Sequence, residues 1–125
     1  MGTWGSGMFD SDNAQDYLDI FLSNLFLEIH EKFESFHRIA PEEFLDQGDR
    51  TFLPALDIYT TLLIEYDGAP KLELEVFKKW RTFYFDIFDK DDTINRPSFK
   101  KDRREAIEEL FDKLEKYLLN WYSTP

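Results

Sequence analysis

The stretch Ala14-Gln-Asp16-Tyr17-Leu18-Asp19-Ile20-Phe21-Leu22-Ser23-Asn24-Leu25-Phe26-Leu27-Glu28-Ile29-His30-Glu31-Lys32-Phe33-Glu34-Ser35-Phe36 decides the fold. Apolar residues recur at three-to-four spacing through Ala14, Tyr17, Leu18, Phe21, Leu25, Ile29, Phe33 and Phe36. That is the period of one helical face. The pattern predicts a long first helix ending near Phe36, with Asp10 as its N-cap, since an aspartate side chain accepts a bond from a free first-turn N–H. Phe9 and Ala14 then stand at hydrophobic-staple spacing.

Outward from this helix the chain repeats the theme. Residues 38–51 hold Pro41 and Gly48 and read as a connection with one helical turn after Pro41. Phe52, Leu56, Tyr59, Leu63 and Tyr66 mark a second helix, with Gly68 as its C′ residue. Phe77, Trp80, Tyr84, Ile87 and Phe88 mark a third, although Leu72-Glu-Leu-Glu-Val76 alternates and can begin extended. Residues 89–96 form a polar loop. A last helix opens near Pro97 and runs through Phe99, Ala106, Ile107, Leu110, Phe111, Leu114, Tyr117, Leu118 and Trp121. The expectation is one all-α domain over residues 1–125, with four main helices and a short connecting helix. They form a bundle or an irregular array, with residues 1–9 as an ordered Gly/Trp-rich loop packed on the core.

Composition bounds the function. With 18% aromatic residues and 13 Phe, the chain carries far more ring surface than a disordered acidic chain. It has no cysteine, which excludes disulfides, thiol catalysis and thiolate metal sites. No basic region with an apolar run opens the chain, and Ile20 to Ile29 is too short to span a bilayer. A soluble, cytoplasmic protein is the expectation. Of the net charge of −11, the whole excess lies in residues 1–67, which hold 14 acids against 3 bases. Neither nucleic acid nor an anionic membrane is an expected partner, because both require basic surface. A basic protein surface is the expected one.

Several clusters compete for a chemical role. Asp12, Asp16 and Asp19 fall at i, i+4 and i+7, on one face roughly opposite Ala14, Phe21 and Leu25. The plain reading is a solvated face. Like charges at this spacing repel, however, and would gain from a basic partner. With Asp10 they form the candidate partner-binding set; Asp10, Asp12 and Asp16 could also hold a divalent cation. Gly2, Gly5 and Gly7 suggest a phosphate cradle, but no strand precedes them and the nearby aspartates repel phosphate. Their better role is to let Trp4 and Phe9 fold back onto the core. His30, Glu34 and His37 share a face and form the one histidine cluster, a second metal candidate through two histidines and a carboxylate. Solvent-facing residues near a helix end are the commoner case. Asp89-Lys-Asp91-Asp-Thr93-Ile94-Asn95 resembles a calcium loop only briefly, since Ile94 stands where the turn needs glycine and Lys100 where glutamate should bind. Lys100, Lys101, Arg103 and Arg104 open the last helix, where positive charge opposes the dipole. They are expected to pair with acids of the front half, and internally as Lys101 with Glu105 and Arg104 with Glu108. No serine or histidine stands in a nucleophile context, so no cofactor or catalytic residue is assigned.

The opening Met1-Gly2-Thr-Trp4-Gly5-Ser-Gly7-Met-Phe9-Asp10-Ser11-Asp12-Asn-Ala14-Gln-Asp16 resembles that of a family of small bacterial proteins of unknown function (domain of unknown function 4259). Their typical start is M-G-x-W-G-x-G-x-F-D-N-D-x-A-x-D. Gly2, Trp4, Gly5, Gly7, Phe9, Asp10, Asp12, Ala14 and Asp16 match it, and Ser11 replaces the usual asparagine. The resemblance implies a bacterial, cytoplasmic, helical protein and brings no activity with it. Three readings stand: a non-catalytic acidic binding module of the immunity or inhibitor type, a metal-dependent enzyme with carboxylate or histidine ligands, and a self-associating structural domain.

Overall fold

Helices occupy most of the chain, in the order α1 (Asp12–Phe36), α2 (Pro41–Gln47), a π-helical segment (Gly48–Phe52), α3 (Leu53–Tyr66), α4 (Leu74–Lys90) and α5 (Pro97–Ser123). The structure is a computed structural model that describes Met8 and residues 11–36, 38–92 and 96–123, without the side chains of Asp12 and Phe36. The fold is all-α, with four main helices, one of them built from three joined pieces. The expectations for Gly2, Trp4, Gly5, Gly7, Phe9, Asp10 and His37 lie outside the described residues.

The first helix starts one residue later than its spacing predicts. The Ala14 N–H donates to Ser11 Oγ at 3.2 Å, and the Gln15 N–H donates to the Ser11 carbonyl at 3.0 Å. Ser11 is therefore the cap. Serine and aspartate cap about equally well, so nothing in residue type separated the adjacent pair. The shift puts Gln15 rather than Ala14 at N4, which removes the staple pairing.

Its buried face keeps Leu18, Ile29 and Phe33 of the expected stripe and adds Leu22, but leaves out Tyr17 and Phe21. Leu18, Leu22, Ile29 and Phe33 are buried, with Leu25 and Phe26 partly so, whereas Tyr17 and Phe21 are exposed. A Cβ added to Gly68 would lie 2.9 Å from Leu22 Cδ1. Leu22 thus packs on bare backbone that any larger residue would cover, and this seat selects the stripe through Leu18 and Leu22.

The expected break before the second helix is a continuous helical run with a change of pitch. Pro54 has no N–H, and its ring opposes the carbonyl four residues back. The ladder widens just ahead of it: the Leu53 N–H donates to the Gly48 carbonyl, an i to i+5 step. Gly48 is itself helical (φ −58°, ψ −45°), so its role is not to turn the chain. A Cβ there would meet Tyr84 Cε2 at 3.2 Å. Tyr84 cannot retreat, because Phe44, Phe88 and Phe111 ring it at 5.6, 6.3 and 5.9 Å. Gly48→Ala, which in a free helix gains up to about 1 kcal/mol, is expected to lose about 1–2 kcal/mol by overpacking. A urea midpoint that rises in the variant would contradict this.

The α3 terminus departs from expectation as well. Asp67, not Gly68, takes the left-handed conformation (φ 51°, ψ 44°). Aspartate is among the few side chains that tolerate it, and glycine is kept for the contact with Leu22. The following loop is tied down by tyrosines. Tyr117 donates to the Gly68 carbonyl at 2.5 Å and Tyr122 to the Leu72 carbonyl at 3.0 Å. Tyr59 accepts from the Lys71 N–H at 3.1 Å. Leu72 is buried and Glu73 extended, so the alternating stretch is extended only as far as α4 begins.

Burial pushes the Tyr59, Tyr84, Tyr117 and Tyr122 phenols up, Tyr117 to about 12. Each raised value favours the neutral phenol in the fold. The stability it contributes is complete below the ordinary value near 10 and is lost as pH rises through the folded value. Urea midpoints are therefore expected to fall between about pH 10 and about pH 12, in step with tyrosinate absorbance. Tyr117→Phe should flatten part of that fall. A midpoint constant over this range would be the contrary result.

Half of the buried apolar residues described are rings. Trp80 and Tyr84 on α4 collect Phe33 from α1, Phe52 from the π segment, Phe44 from α2 and Phe111 from α5. The α5 stripe Ile107, Phe111, Leu114 and Leu118 closes the other side. Thr60, the one buried polar residue among those described, donates to the Leu56 carbonyl at 2.7 Å. No described helix is long and apolar enough to cross a membrane.

Candidate functional site: the outer face of the first helix

Turning the α1 stripe toward Leu18 and Leu22 leaves large apolar side chains outside. Tyr17 is 65% exposed, Ile20 63% and Leu27 60%, with Phe21 beside them at 44%. Asp16 is exposed among Tyr17, Ile20 and Leu27, and Asp19 is exposed on the flank away from Phe21. Asp16 and Ile20 stand one turn apart, as do Tyr17 and Phe21, so acid and apolar groups alternate over about three turns. Neither Asp16 nor Asp19 has a basic partner among the described residues. The backbone of Asp12 opens the helix on the same side, and Asp10 lies outside the described residues.

Several arginines of the second half are paired elsewhere. Arg104 clasps Asp89 through Nε at 2.8 Å and Nη2 at 3.1 Å, and reaches Glu108 at 2.9 Å. Its guanidinium lies 4.3 Å from the Phe85 ring. The hydrogen bonds from Arg104 hold the Asp89 carboxyl below its usual range. Arg103 pairs with Asp49 at 2.9 Å, and Arg81 with Asp112 at 2.7 Å and Glu115 at 3.6 Å. Lys100 donates to the Asp91 carbonyl. Of the four bases that open α5, only Arg103 reaches a front-half acid. Arg104 is satisfied within its own half, and Lys101 makes no ion pair with Glu105. The internal Arg104–Glu108 pair forms as its spacing predicts.

The histidine candidate resolves in part. His30 Nε2 lies 3.8 Å from Glu34 Oε1, and the imidazole packs 5.8 Å from Phe26 and 5.9 Å from Trp80. His30 therefore fills the edge of the aromatic core. Among the described residues no three histidine, aspartate or glutamate side chains converge to hold a metal ion.

Sequence periodicity assigned Tyr17 and Phe21 to the core and did not single out Ile20 or Leu27 as surface. The available signal was the excess: from Tyr17 to Ile29 apolar residues surround the helix, more than one buried stripe can absorb. Compared with known proteins, the chain matches no family model, no curated protein and no solved structure.

Proposed function

We propose that this protein is a non-catalytic acidic binding module that engages a basic protein surface, in the manner of an immunity or inhibitor protein. The observation that carries this reading is the outer face of α1, where unpaired Asp16 lies among exposed Tyr17, Ile20 and Leu27, with unpaired Asp19 on one flank and exposed Phe21 on the other. A solvated face would carry the acids without the rings. A patch that mixes exposed aromatic anchors with one sign of charge matches the composition of recognition surfaces. The internal pairing of Arg81, Arg103 and Arg104 supports the same reading, since it leaves α1 acids free for a partner. In sequence, Asp10 and Asp12 extend the acidic row toward the N-terminus. The reading takes the chain for a cytoplasmic bacterial protein, as the resemblance of its opening implies.

The test is a random peptide library displayed on phage and panned against the protein at low salt. Enriched peptides should carry several lysines or arginines beside an aromatic or branched aliphatic anchor. Their affinity should fall as salt rises, because screening acts within about 10 Å at 0.1 M. Enrichment of neutral or acidic peptides, or affinity indifferent to salt, would overturn the proposal.

A further inference from the structure

We infer that the groove between α3 and α5 receives the outer face of α1 from a second copy of this chain, which rests on reading that face as a recognition surface. Self-association then covers the face that meets a basic partner. The groove measures about 740 Å³ and is lined by Ile64 of α3 and by Lys113, Lys116, Tyr117, Leu119 and Asn120 of α5. Ile64 and Leu119 are exposed and Tyr117 is half-buried. Both charged residues that line it are lysines. Each is exposed, and neither makes an ion pair among the described residues. Lys32, Lys78 and Lys90 each lie within 3.7 Å of an acid on their own helix. Lys116 does not, because Asp112, one turn before it, is held by Arg81 at 2.7 Å.

The α1 face supplies the complement. Asp16 and Asp19 are three residues apart, as are Lys113 and Lys116, so each pair spans about 4.5 Å along its helix. Beyond its charges each helix turns apolar, with exposed Ile20 and Leu27 on α1 and Tyr117 and Leu119 on α5. From Asp16 to Leu27 α1 advances about 16 Å, and from Lys113 to Ser123 α5 advances about 15 Å. A parallel alignment sets the two acids against the two lysines and the aliphatic side chains against Ile64, Tyr117 and Leu119. This is the helix-in-groove mode of recognition. Repulsion between two copies of net charge −11 opposes the encounter. At about 0.15 M salt it is screened beyond about 8 Å, while charges in contact still attract. A contact of helix on groove is small, so the expected Kd is weak, about 10–100 µM. The two patches differ, so the contact is head-to-tail and closes into a dimer where both copies can engage at once.

The test is sedimentation velocity of the full chain from about 1 µM to about 1 mM at about 0.15 M salt. The sedimentation coefficient should rise with concentration. Asp16→Lys with Asp19→Lys sets lysine against lysine, and Lys113→Glu with Lys116→Glu sets acid against acid. Each double variant alone should self-associate at least about tenfold more weakly than the parent. Mixed one to one, unlike chains again oppose acid to base at both contacts, and association should return to the parent strength. All four positions are exposed, so the variants should keep the fold, which circular dichroism checks. A parent that stays monomeric throughout, or a mixture no more associated than its two components, overturns the inference. The basic peptides selected by panning tell the two failures apart: if they still bind the monomeric parent, the reading of α1 stands without self-association, and if none bind, that reading fails as well.

Discussion

Trp80→Ala is expected to remove about 3–5 kcal/mol of folding stability, at least about a fifth of the roughly 5–15 kcal/mol that a domain typically has. The indole is 3% exposed and joins α4 to α1 and to the π segment. Phe33 and Phe26 of α1 lie 5.0 and 6.4 Å from it, and Phe52 of the π segment 5.8 Å. Alanine would leave a cavity between α1, α4 and the π segment whose walls are stiff rings, poorly able to collapse. Trp80→Phe keeps part of the contact and should lose only about 1–3 kcal/mol. Urea unfolding of the two variants measures both. A loss under about 1 kcal/mol for alanine would mean that α1 is held to α4 by something other than this indole.

The same contrast explains how much of the fold could be read from sequence. The stripes Phe77, Trp80, Tyr84, Phe88 on α4 and Ile107, Phe111, Leu114, Leu118 on α5 were legible because charged residues fill the opposite faces. The ends of the α5 run were not legible, since Phe99 and Trp121, expected on the same face, are exposed. On α1 apolar residues occur all round, and periodicity that includes Leu18 cannot choose whether the stripe widens toward Tyr17 and Phe21 or toward Leu22. The choice is tertiary: Leu22 finds its seat on Gly68. Both helical pieces between Pro41 and Tyr66 were legible, but their continuity was not, for a related reason. Gly48 and Pro54 read locally as breakers, yet the π turn absorbs the proline and the Tyr84 ring needs the glycine. At both helix ends, Ser11 for Asp10 and Asp67 for Gly68, neighbouring residues can do the same capping work, so the cap slipped by one. For the candidate site, Asp16 and Asp19 were visible as charge without a partner. Their apolar neighbours were not, because exposure depends on which stripe the core takes.

Charge reversal on that face, Asp16→Lys with Asp19→Lys, is expected to slow association with the basic peptides selected above by about 10–100-fold at low salt. Dissociation should change far less, since exposed charges act mainly on the encounter. Tyr17→Ala should do the opposite. Its ring is 65% exposed in the free protein, so covering it is a gain available only in the complex, and its loss should speed dissociation by up to about 30-fold, near 2 kcal/mol. All these positions are exposed, so unfolding free energies should stay within about 0.5 kcal/mol of the parent. Kinetics by surface plasmon resonance at two salt concentrations separate the two effects. If charge reversal left the association rate unchanged, the acids would be a solvated helix face. If Tyr17→Ala lowered stability instead of speeding dissociation, the ring would be packing against this chain rather than waiting for a partner.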